Sequence, residues 1–129
     1  MTDGTLRSVE LDQVIDGLLV SGLDDWVMLT QVESAVRRAA TTETSDQIVD
    51  LTVDVVAAML EGDLVVVGTV REPAGFEPWG TASAEAVTRI RSEWRGLGRP
   101  LEMGDICWVS NTALGDQRAS NVRETRQDG

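Results

Sequence analysis

The stretch TSDQIVDLTVDVVAAMLEGDLVVVGTV (Thr44–Val70) carries two periodicities in succession, and the switch between them decides the fold class. Ile48, Leu51, Val55 and Met59, with Val56 and Leu60 beside them, recur at the spacing of an amphipathic helix. Thr44 and Gln47 stand three apart as a capping-box pair, and Asp46 falls in the first turn, where the helix dipole favours a carboxylate. Gly62 supplies the stop. LVVVGTV (Leu64–Val70) is short, β-branched and bounded by turn residues, so it reads as a strand.

Two further helices precede this unit. Leu11, Val14, Ile15 and Leu18 line one face of a helix that Ser8 can cap and Gly22 closes, ending near Val20. Asp24 or Asp25 caps a second helix from Trp26 to about Ala40, with Met28, Val32, Ala35, Val36 and Ala39 as its apolar line. Arg37 and Arg38 complement the dipole in its last turn. Downstream, REPAGFEPWG (Arg71–Gly80) reads as loop from its two prolines and two glycines. A fourth helix runs from Thr81 or Ser83 to Arg95, with Val87, Ile90 and Trp94 on one face and Gly96 and Gly98 at its end. ICWVSN (Ile106–Asn111) alternates as a second strand.

The predicted class is therefore α+β. Three helices are followed by an antiparallel strand pair, as in a winged helix, with an extra helix inserted between the strands. One domain spans 1–115. Residues 116–129 contain almost no apolar side chains and are predicted to form a disordered tail.

The chain has 129 residues, enough for a single domain with a core of its own. The longest strictly apolar run, VVAAML (Val55–Leu60), is too short to cross a bilayer. The amino terminus lacks the basic-then-apolar order of a signal peptide. The single cysteine excludes an internal disulfide and agrees with a reducing cytoplasm. A cytoplasmic location is the expectation.

Histidine, lysine and tyrosine are absent, and all eleven cationic side chains are arginines. This removes Ser-His and Cys-His pairs, imidazole zinc ligands, Schiff bases and the phosphate-loop lysine. Cys107 has no histidine to activate it and is expected to act as a small buried hydrophobe. GLG (Gly96–Gly98) follows a helix instead of opening one, so it is not a phosphate loop. No DxDxDG loop is present for calcium. No enzyme, metal or cofactor is predicted.

Charge is the positive signal. The net charge is −11, and residues 1–70 hold thirteen acids against three arginines. At 100° per residue, Asp46, Asp50, Asp54 and Glu61 fall within one narrow stripe of the third helix, which carries no basic residue. In a winged helix that helix would enter the DNA major groove. A stripe of carboxylates repels phosphate, so nucleic-acid binding is disfavoured unless Arg89, Arg91, Arg95 and Arg99 dock it through another surface. Helices of soluble proteins routinely carry solvated charge, but usually of mixed sign. A one-sign stripe, with Asp12 and Asp16 of the first helix nearby, lacks internal partners and invites a basic protein. Trp26, Trp94 and Trp108 occupy core-like positions, whereas Trp79 in FEPWG is the tryptophan suited to an interface.

The segments GFEPW, AVTRIRSEWRGLGRP and GDICWVSNT resemble a group of small actinobacterial proteins of winged-helix-like pattern, a likeness running from about Leu11 to Gly115. In overall style the small, acidic, histidine-free chain also resembles the immunity proteins of contact-dependent growth inhibition and other polymorphic toxin systems. That resemblance implies a protein that binds and neutralises a basic toxin domain, often a nuclease. The expected contact residues are Asp46, Asp50, Asp54, Glu61, Asp12 and Asp16. The competing expectation is a winged-helix transcriptional regulator.

Overall fold

The computed structural model describes residues 6–40 and 44–128. Among these residues, five helices and a four-stranded antiparallel sheet form an α+β fold. Helix α1 (Ser8–Ser21) leads through strand β1 (Val27–Met28) into α2 (Leu29–Ala39) and α3 (Ser45–Glu61). Strands β2 (Val65–Arg71) and β3 (Gly75–Pro78) form a hairpin, and α4 (Ser83–Leu97), β4 (Trp108–Asn111) and α5 (Ala113–Asp128) follow. The strand order is β1-β4-β2-β3. No helix among the described residues is long and apolar enough to cross a membrane.

Helix α3 is the centre of the fold. Thr44 caps it: its Oγ1 accepts from the Gln47 amide at 3.3 Å, and the Thr44 amide donates to Gln47 Oε1 at 2.8 Å. Ile48, Leu51, Thr52, Val53, Val55, Val56, Met59 and Leu60 are all buried, so α3 is apolar around most of its circumference. Such a helix is stable only when surrounded, and α1, α2, α4 and β2 all pack on it. What remains exposed is the stripe predicted from the sequence, Asp46, Asp50, Asp54 and Glu61.

The sheet has one buried and one open face. Val65, Val67 and Val109 lie on the buried face, with Val67 opposite Val109. The intervening Val66, opposite Ser110, is 40% exposed. On that open side the Trp26 and Phe76 rings stack at 5.9 Å between centroids. The Phe76 ring crosses Gly68, where a β-carbon would collide with it and with the Glu77 carbonyl.

Five expectations are corrected, the first being that Arg7 and not Ser8 is the N-cap of α1. The second helix begins at Leu29 instead of Trp26, because Val27 and Met28 pair with Val109 and Trp108. Met28, and neither Asp24 nor Asp25, is its N-cap. Within Arg71–Gly80, residues 75–78 form β3, since Thr69, Val70 and Arg71 supply a ladder for Glu77, Phe76 and Gly75. Residues 116–128 belong to helix α5 instead of a tail, packed along α1 with Ala119 fully buried. Thr112 anchors this helix: its Oγ1 donates to the Asp63 carbonyl at 2.6 Å and accepts from the Gly115 amide at 3.1 Å.

Candidate partner-binding surface

The burial of α3 pushes its carboxylates outward, and α4 brings one arginine back to them. Arg91 lies on the same face of the protein as Asp50 and Asp54. Its guanidinium donates to Asp50 at 2.7 Å and stands 3.9 Å from Asp54. Partial burial raises the Asp54 carboxyl above its usual range; Arg91 pulls it back, and Asp50 pushes it further up. The stripe expected to lack internal partners therefore has one, shared by its two central members. Asp46 and Glu61, at either end of α3, have no ion-pair partner among the described residues.

The same arrangement recurs on α1. Arg118 of α5 donates to Asp16 at 2.7 Å and reaches Asp12 at 3.8 Å. Asp12 and Asp16 thus belong to an α1–α5 group and the others to an α3–α4 group, and no ion pair among the described residues joins the two. A third case is Arg99, which binds Asp105 at 2.8 Å and Glu102 at 3.5 Å. The hydrogen bonds from Arg99 and from the Glu102 amide hold the Asp105 carboxyl below its usual range. Each arginine faces two carboxylates, so each group keeps a negative charge. Exposed pairs of this kind add little to stability, but they shape the outer field.

The arginines proposed as an alternative docking surface for nucleic acid are largely engaged. Arg89 donates to Glu93 at 2.6 Å and covers the Trp79 ring at 3.7 Å, Arg91 and Arg99 are bound as described, and Arg95 is exposed with no ion-pair partner among the described residues. Trp79, expected at an interface, is half-buried: its indole donates to Thr69 Oγ1 at 3.0 Å, and Arg89 lies on its face. Trp94 is buried and Trp108 half-buried, whereas Trp26 is 37% exposed. Cys107 is fully buried, and burial pushes its thiol up to about 12. Among the described residues, no three metal-ligating side chains converge.

Arg91 and Arg118 escape sequence reasoning because their partners lie 41 and 102 residues away. Trp26 lies outside α2, which leaves its ring free to stack on Phe76 at the open sheet face. Comparison with protein families, curated proteins and solved structures finds no match for this chain.

Proposed function

We propose that this chain is a cytoplasmic, non-enzymatic binding protein of the immunity type, which engages a basic toxin domain through its acidic helices. The observation that carries this reading is the two-to-one arrangement of carboxylates around Arg91, Arg118 and Arg99. It leaves an outward negative field and engages most of the cations that nucleic acid would need. The order of α1, β1, α2 and α3 before the β2–β3 hairpin supports a winged-helix-like arrangement. In that arrangement α3 occupies the place of the DNA-reading helix, and here it offers only carboxylates. A basic partner gains from this field in association rate and selectivity. The buried, protonated Cys107 and the lack of histidine support a role without covalent chemistry.

The test is affinity capture from host lysate at low and high salt. A basic protein retained only at low salt is expected, and the purified pair should bind and abolish the partner's activity. Reversing Asp50 and Asp54 to lysine should weaken that complex about tenfold or more and flatten its salt dependence. Micromolar binding to random duplex DNA, with a steep salt slope, would overturn the proposal in favour of a DNA-binding regulator.

A further inference from the structure

A groove of about 760 Å³ runs between α1 and α2, and none of the carboxylates grouped around Arg91, Arg118 and Arg99 lines it. Its volume lies in the range of small-molecule sites. Val14, Leu18 and Ala35 contribute apolar floor, and Met28 and Met103 line it. Met103 is 80% exposed, the most exposed large apolar side chain among the described residues. Gly17 also lines the groove, in the middle of α1. A glycine there weakens a helix relative to alanine, and packing does not require it: nothing lies within 4 Å of where its β-carbon would stand. The missing side chain leaves the groove open.

Two charged residues line the groove, Glu10 and Arg38. Glu10 is already engaged, accepting from the Arg7 amide at 3.1 Å and from the Arg7 side chain at 3.3 Å at the start of α1. Arg38 has no ion-pair partner among the described residues, in a protein whose other arginines are mostly claimed by acids. The trough mixes apolar side chains with uncharged polar ones, Gln13, Ser21, Thr30, Gln31 and Ser34, and offers one available guanidinium, which is complementary to an amphipathic carboxylate. We infer that the α1–α2 groove is a binding site for a small carboxylic acid with an apolar body, its carboxylate held by Arg38 and its chain laid over Gly17 towards the two methionines. Arginine meets a carboxylate through paired, charge-assisted hydrogen bonds.

Four methionines make this directly readable. Protein carrying 13C-methyl methionine is titrated with decanoate below its micelle concentration, and separately with decanol. The Met28 and Met103 signals should shift saturably while that of the core residue Met59 stays still. Decanoate should bind about tenfold more tightly than decanol, and Arg38→Gln should erase that difference. Shortening to octanoate should weaken binding by up to about fourfold for each methylene lost from the groove. Gly17→Leu should fill the trough and abolish binding of both ligands while the protein unfolds cooperatively at no lower temperature. The inference is overturned if no saturable shift appears, as expected were the groove reserved for a partner helix. It is equally overturned if decanol matches decanoate, if Met59 shifts with the others, or if Gly17→Leu binds normally.

Discussion

Gly115→Ala tests how the end of the chain is held. Gly115 lies in the first turn of α5, and its Cα faces the start of β2. A β-carbon there would overlap the Leu64 carbonyl oxygen and come within 3.3 Å of Leu19 Cδ2. The obstacle is backbone, so α5 must retreat. Overpacking of this kind costs about 1–3 kcal/mol. Retreat also strains the bond from the Thr112 amide to the Leu64 carbonyl, 2.9 Å long, a bond worth about 1 kcal/mol. Alanine returns up to about 1 kcal/mol in helix propensity. The net loss is about 2 kcal/mol, equivalent to a fall of roughly 8 °C in Tm for a domain of this size. Calorimetry or urea unfolding reads it. Gly17→Ala is the matched control, the same exchange in open space on α1, and should stabilise by about 0.5–1 kcal/mol. Were the segment after Gly115 unstructured, Gly115→Ala would be neutral. A Tm at or above that of the parent protein would refute the docking of α5.

Three further outcomes are expected. With no lysine, tyrosine or histidine, Cys107 is the only side chain that titrates between neutrality and about pH 12. Its folded value is raised, so its contribution to stability is intact below the ordinary thiol range and lost as pH climbs towards about 12. Urea unfolding should show that decline, and Cys107→Ala should flatten it. Thr52 is fully buried, and its hydroxyl donates to the Ile48 carbonyl at 2.7 Å. That carbonyl lies within α3, so Thr52→Val orphans no acceptor and should shift stability by less than about 1 kcal/mol in either direction. Trp26→Ala and Phe76→Ala should each destabilise the protein, and their double-mutant cycle should return a coupling of about 1 kcal/mol from the stacked rings.

The elements legible in the sequence are those whose causes are local. Helix α3 declares itself through its period, its Thr44–Gln47 cap and Gly62, all within the single stretch Thr44–Gly62. Helix α4 runs through Gly96 to Leu97, two residues past the expected Arg95, and ends at Gly98 in the left-handed conformation at φ 65°. Strand β1 is only two residues long and exists because β4, some eighty positions later, offers it a ladder. Residues 26–28 continue the helical pattern of α2, so propensity favoured the wrong state until pairing overrode it. Strand β3 hides between prolines, and α5 hides behind polar composition. Its docking rests on Gly115, Ala119 and Thr112, which carry almost no hydropathic signal.

The candidate site divides along the same line. The angular position of Asp46, Asp50, Asp54 and Glu61 follows from helix geometry alone, and all four are outward. The net charge and the absence of titratable bases are likewise properties of the chain as written. Whether the stripe stands bare or meets a cation depends on where α4 crosses α3, and whether Asp12 and Asp16 join it depends on where α5 lies against α1. Those crossings are fixed by the packing of apolar side chains far apart in sequence. For that reason Arg91 and Arg118 were placed only by tertiary structure, while the carboxylates they serve were visible from the start.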